Sequence, residues 1–210
     1  MDASDQVARR GLLPAGEPGA LEAAAALLRA GGLVAFPTDT LYGLGASLAH
    51  PAAIARLYRV KQRPADKAIP VLLAEAAGLS LVAAAVPAGA RRLMARFWPG
   101  PLTLVLPKRA DLPAVLSPNR GVAVRVPDHD LARRLLAAAG GAVATTSANL
   151  SGRPAATSAG QVLAALGPQV AAVLDGGPVR IGQASTVVDF TAGRPRILRT
   201  GPLSAEELDL

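Results

Sequence analysis

The sequence predicts a single-domain α/β fold, a mixed sheet with flanking helices. Short apolar runs that read as strands alternate with amphipathic stretches that read as helices, which is the pattern of helices packed on a sheet. Several strands follow one another near the C-terminus, so the sheet is expected to be mixed rather than purely parallel. The 210 residues suit one domain with a full core.

Taken in order, residues 1–17 lack periodicity and read as a loose N-terminal tail, with the domain proper spanning residues 18–210. Leu21, Ala24, Ala25 and Leu28 give a helical stripe that Gly31-Gly32 ends, and Leu33–Pro37 reads as a buried strand. Pro51 opens a helix carrying Ile54, Leu57 and Tyr58, and an apolar run covers Ile69–Leu73. Helices are expected over Ala74–Ala85 and Pro87–Phe97, then strands over Leu102–Leu106 and Val122–Val126. Asp128 is placed to cap a helix over Leu131–Ala139, and a strand over Ala142–Thr145 follows. A helix at Gln161–Leu166, strands near Val170–Leu174, Thr186–Phe190 and Arg196–Arg199, and a short tail helix complete the chain.

Composition excludes several classes. No apolar stretch reaches the roughly 20 uninterrupted residues of a bilayer span, so no membrane partner is expected. The N-terminus lacks the apolar core of a signal peptide, and a chain without cysteine has neither disulfides nor thiolate metal sites. A cytoplasmic location is the expectation. The net charge is +7, and of the 22 cations only Lys61, Lys67 and Lys108 are lysines. Two of these fall in one seven-residue loop. Scattered arginines read first as solvated surface.

There is no Walker-type phosphate loop, and Gly43-Leu44-Gly45 follows a turn rather than opening a helix, so a dinucleotide fingerprint is missing. His50 and His129 lack metal-ligand spacing and read as surface or capping residues; no protein-held metal is expected. Four features remain. Phe36–Gly45 leaves a strand into a turn bearing hydroxyls, Asp39 and glycines, where Thr40 can meet a small polar substrate or simply stabilise the turn. Lys61-Gln62-Arg63-Pro64-Ala65-Asp66-Lys67 gathers three cations in a proline-stiffened loop. That suits phosphate oxygens, or a solvated turn that favours the helix dipole. Thr145–Gly152 crowds hydroxyls and backbone amides after a strand, as a phosphate nest or a capped turn. Arg125 stands inside an apolar strand and must reach solvent, a partner or a ligand, while Ser185 opens one strand and Arg199 closes another. Together the Lys61 and Thr146 loops point to an anion site suited to phosphate oxygens.

Six segments in register resemble the YrdC-like family of threonylcarbamoyl-AMP synthases. They are Pro37–Leu44, Lys61–Lys67, Trp98–Thr103, Val124–Pro127, Thr146–Gly152 and Ser185–Asp189, and the likeness runs from about Gly31 to Gly201. The resemblance implies a twisted mixed sheet with a basic concave face. It also implies a nucleotidyltransferase that joins L-threonine, bicarbonate (or CO2) and ATP into threonylcarbamoyl-AMP and pyrophosphate, for the N6-threonylcarbamoyladenosine of tRNA. By matching positions, threonine would meet Thr40, Arg125, Thr145 and Ser185, and ATP would meet Arg63, Lys67, Ser147, Asn149 and Arg199. Lys61, Arg63 and Lys67 would form the catalytic cationic set, with Mg2+ carried on ATP and the product handed to a tRNA threonylcarbamoyltransferase complex. This would be the short, single-domain form. Some relatives carry histidine, threonine and serine where this chain has Leu72, Gly121 and Ala155. Direct tRNA contact is the rival reading of the basic charge, set against few aromatics for base stacking.

Overall fold

The structure, a computed structural model, describes residues 11–210. In chain order the elements are β1 (Leu12–Pro14), α1 (Ala20–Arg29), β2 (Val34–Phe36), β3 (Gly43–Ser47), α2 (Pro51–Lys61), β4 (Val71–Leu73), α3 (Ala88–Phe97) and β5 (Leu102–Pro107). They continue with β6 (Gly121–Arg125), α4 (Asp130–Ala138), β7 (Ala142–Ser147), α5 (Ala159–Leu166), β8 (Ala172–Asp175), β9 (Thr186–Asp189) and β10 (Arg196–Arg199). The strands form one mixed sheet in the order β1-β8-β2-β3-β7-β4-β6-β5-β9-β10.

Side-chain alternation along the strands divides the core into two layers, because successive residues point to opposite faces. Val34, Phe36, Leu72 and Val143 pack with Ala24, Ala25 and Leu28 of α1 and with Ala132, Leu135 and Leu136 of α4. Their sequence neighbours Ala35, Val71, Leu73 and Ala144 join the larger core on the other face, with Ile54 and Leu57 of α2, Leu93 of α3 and Val162 of α5. Each fully buried Leu, Val or Phe there contributes about 1.5–3 kcal/mol by leaving water.

The helices end as local chemistry requires. Ala20, Ala24, Ala25 and Leu28 are the buried stripe of α1, and Gly31 follows it at a φ of 80°, a backbone conformation that costs glycine nothing. In α2 the buried positions are Ala53, Ile54, Leu57 and Lys61, so the helical period carries the lysine inward on the apolar face. Ser158 caps α5 by accepting from the Gln161 amide. His129 caps α4, its Nδ1 accepting from the Ala132 amide, in the role expected of Asp128. Asp128 instead pairs with Arg180 at 2.6 Å.

Other expectations are corrected. Residues 1–10 of the expected tail lie outside the described residues, and Leu12–Pro14 are not loose, since they pair parallel with Val173–Asp175 at the sheet edge. Gly43-Leu44-Gly45, expected only to follow the turn, begins the interior strand β3 between β2 and β7. Its glycines are filled by neighbours: a Cβ on Gly45 would lie 2.9 Å from both Phe36 Cε1 and Val143 Cγ1. The alanine-rich Ala74–Ala85 segment makes a single 3-10 stretch, Ala76–Leu81. Its continuation is drawn to the sheet, where the Ala84 amide donates to Pro107 O. The tail closes as a turn over residues 205–209, fixed by the reciprocal contacts of Ser204 and Glu207. Among the described residues no helix is long and apolar enough to cross a membrane.

Candidate active site

Strand register assembles the site. Arg125 stands beside Leu72 in the β4–β6 pairing. Thr145 stands two residues after Val143 and opposite Gly45, while Thr103 and Arg199 both register with Val187. Alternation therefore sends Thr103, Arg125, Thr145 and Arg199 to the face that α1 and α4 cover only in part. The uncovered part is a cleft of about 170 Å3.

Seven sequence-predicted residues line it: Thr40, Arg63, Arg125, Thr145, Ser147, Ser185 and Arg199. Thr38, Leu41, Tyr42, Gly43, Pro70, Leu72, Thr103, Thr146 and Ala184 complete the lining. No carboxylate or imidazole is among them. The cleft offers guanidinium and hydroxyl donors, which is the chemistry of an anion receptor.

Arg125 is 5% exposed and makes three contacts. Its Nε donates to Gly100 O at 2.8 Å, Nη1 to Thr40 Oγ1 at 2.7 Å, and Nη2 to Asp39 Oδ1. The Trp98–Thr103 segment supplies that Gly100 carbonyl and is pinned by Trp98 Nε1 donating to Leu102 O at 2.7 Å. Burial pushes the Arg125 guanidinium down and Asp39 pulls it back up. Thr38 organises the turn: its hydroxyl donates to Leu41 O at 2.7 Å and accepts from the amides of Thr40 and Leu41.

At the other wall, Arg63 Nε donates to Lys67 O and Nη2 to Ala68 O, which curls the proline loop around its own arginine. Burial lowers the Arg63 guanidinium, and burial followed by the Arg63 charge lowers Arg199. A guanidinium depressed by burial and by a neighbouring like charge fits a bound polyanion. Arg199 also holds Ser185, Nε on its carbonyl at 3.0 Å and Nη2 on its hydroxyl at 3.2 Å, and Ser185 Oγ meets Thr103 Oγ1 at 2.7 Å.

Lys61, Lys67 and Asn149 do not line the cleft. Lys61 is 1% exposed, and its Nζ is spent on Ser147 O, Asn149 O and Asn149 Oδ1. Asn149 Nδ2 ties down Leu150 O and Arg153 O, and Ser147 Oγ donates to Asn149 Oδ1 at 2.6 Å. These two residues brace the loop from behind. Lys67 is solvent-exposed, with only its carbonyl engaged by Arg63.

Sequence reasoning left Thr38, Asp39, Tyr42 and Thr103 out of the candidate set. Thr38 and Asp39 lie within the hydroxyl-rich turn already singled out, and a buried Arg in a strand calls for a carboxylate partner. That demand is the signal that could have found Asp39. Of the three departures from relatives, Leu72 lines the cleft, whereas Gly121 begins β6 and Ala155 borders a separate groove.

The Sua5/YciO/YrdC family model, described as telomere recombination, matches residues 26–201. The chain is 43% identical over 187 residues to the threonylcarbamoyl-AMP synthase of Pyrococcus abyssi, covering 89% of this chain and 55% of that protein. It is 43% identical over 188 residues to the Bacillus subtilis enzyme of the same name, covering 89% and 54%. The chain thus spans about half the length of these relatives. The crystal structure of P. abyssi Sua5 complexed with L-threonine superposes with a TM-score of 0.91 at 40% identity, covering 94% of this chain and 59% of that one.

Proposed function

The chain belongs to the Sua5/YciO/YrdC family, and from that membership we propose that it forms threonylcarbamoyl-AMP and pyrophosphate from L-threonine, bicarbonate or CO2, and ATP. The observation that carries this reading is the division of the cleft's cations. Arg125 is buried, bonded to Thr40 and ion-paired with Asp39, whereas Arg63 and Arg199 line the same cleft without an ion pair among the described residues. Such a division suits two different anions held side by side.

On this reading the threonine carboxylate and hydroxyl lie against Arg125, Thr40, Thr145 and Ser185, and the support for threonine as the ligand is that the P. abyssi relative is complexed with it. The triphosphate lies against Arg63, Ser147 and Arg199, on a loop braced by Lys61 and Asn149. Lys67 joins only if its exposed arm turns in toward the phosphates. Mg2+ would be carried in on ATP, to whose phosphates the lining offers guanidinium and hydroxyl groups.

The chemistry asks for no protein nucleophile. The neutral threonine amine attacks the carbon of CO2 and releases a proton to solvent, or attacks that of bicarbonate with loss of water, and either route gives a carbamate. A carbamate oxygen then attacks the α-phosphorus, and the bond to the bridging oxygen breaks as pyrophosphate leaves with the electron pair. Holding the two reactants in contact supplies proximity, and Arg63 and Arg199 stabilise the charge that gathers on the leaving group. The product, a labile mixed anhydride, is passed to a tRNA threonylcarbamoyltransferase for modification of adenosine.

Pyrophosphate release tests the reading. It should require L-threonine, bicarbonate and ATP together; release that ignores omission of threonine would sink it.

A further inference from the structure

We infer that Asp39 is a positioning residue that keeps the two anions of the cleft apart, by neutralising Arg125 and fixing the direction of its free N–H groups. The inference rests on the functional reading above and adds to it a residue that touches neither substrate.

Asp39 is 1% exposed and does not line the cleft. Its Oδ1 accepts from Arg125 Nη2, and both side chains of the pair are almost wholly buried. Its Oδ2 is buried and has no hydrogen-bond partner. An unpaired carboxylate oxygen in the interior is costly, and a residue kept for stability alone would be better satisfied. The expense is understandable if the negative charge itself is needed there.

What the charge does follows from its neighbours. Arg125 has five N–H donors, and Gly100 O, Thr40 Oγ1 and Asp39 Oδ1 take one from each nitrogen. The planar fork is therefore locked by three fixed acceptors, with the remaining hydrogens on Nη1 and Nη2 (the pair that serves a carboxylate in bidentate fashion). Asp39 cancels the net charge of this wall without removing its donors. A single carboxylate still gains two directed hydrogen bonds. A tetra-anionic triphosphate or pyrophosphate finds its net positive charge only at Arg63 and Arg199. The backbone of the same residues also anchors the segment that leads to Ser185: the Ile181 amide donates to Asp39 O at 2.9 Å and the Gly182 amide to Thr40 O at 3.0 Å.

Calorimetric titration of L-threonine, of ATP and of pyrophosphate into the wild type and Asp39→Asn tests this, with circular dichroism confirming that the variant folds. The wild type should bind both ligands at once. In Asp39→Asn, threonine affinity should fall about tenfold or more while ATP affinity changes less than about threefold. Pyrophosphate should now displace threonine competitively, a change of pattern that mere loosening of the fold would not produce. Unchanged threonine affinity in the folded variant overturns the inference. So does competition between pyrophosphate and threonine on the wild type, a measurement that stands whether or not the variant folds. Failure of the wild type to bind threonine at all would instead sink the functional reading, and the inference with it.

Discussion

Lys61 Nζ donates to both the backbone carbonyl and the side-chain oxygen of Asn149, from a helix position that is almost fully buried. Lys61, which the resemblance puts in the catalytic cationic set, is thus a strut behind the loop that carries Ser147 and Asn149. Lys61→Met fills the same volume and removes the donors. It should cost about 1–3 kcal/mol for the carbonyls left unpaired, and ATP affinity should fall although Nζ never faced the cleft. Hydrogen exchange at the Ala148, Asn149 and Ser151 amides should rise in the same variant. Unchanged exchange there would mean that the loop does not need its strut.

The same lysine predicts a pH effect. Burial, followed by the Arg63 charge, pushes its ammonium down to about 8 from an ordinary value of 10.5. Above pH 8 the folded protein gives up a proton that the unfolded chain keeps, so the unfolded state binds more protons and stability rises with pH. Below pH 8 both states are protonated and this slope vanishes. Urea unfolding of the wild type and Lys61→Met between pH 7 and pH 9.5 should show the difference between them growing above pH 8, by up to about 1.4 kcal/mol per unit. Parallel stability profiles across that range would contradict it.

Arg63 and Lys67 share a loop but not a role. Arg63 lines the cleft with its guanidinium partly buried, whereas Lys67 extends into solvent. Arg63→Ala should weaken ATP binding about tenfold or more, because a desolvated charge-assisted contact is lost, and Lys67→Ala should weaken it far less. Equal losses in calorimetric titrations would show that the loop closes over ATP and brings Lys67 in.

Gly43 has the ordinary extended backbone of β3, so its reason is steric. A Cβ there would lie 2.7 Å from Thr145 Cγ2 on the cleft floor. Gly43→Ala should cost about 1–3 kcal/mol by overpacking and raise the KM for threonine more than that for ATP, since Thr145 is the atom group displaced. Steady-state kinetics with each substrate varied in turn reads the split.

Much of the fold was legible in the sequence because its signals were local. Leu102–Leu106, Ala142–Thr145 and Arg196–Arg199 carry their own strand patterns, and Pro51 and Gly31 mark helix ends in the chain itself. What escaped depends on distant partners. β3 is Gly-Leu-Gly-Ala-Ser, with almost no strand propensity, and exists because Phe36 and Val143 fill the space above its glycines. Leu12–Pro14 become a strand only because β8 offers an edge. Arg125, Thr40 and Ser185, which line the cleft, could be picked out because a buried charge or a hydroxyl at a strand end announces itself. Lys61 and Asn149 were read as contacts rather than braces, since composition marks a cation but not which way its helix turns it. Asp39 and Thr103 needed the register of β5, β6 and the preceding turn, which no single segment encodes.

We propose that one cleft holds L-threonine and ATP side by side. A crystal structure with L-threonine and a non-hydrolysable ATP analogue tests it most directly. The threonine carboxylate should lie on Arg125 and Thr40, with the triphosphate on Arg63, Ser147 and Arg199. A triphosphate seated on Arg125, or lying outside the cleft, would contradict it.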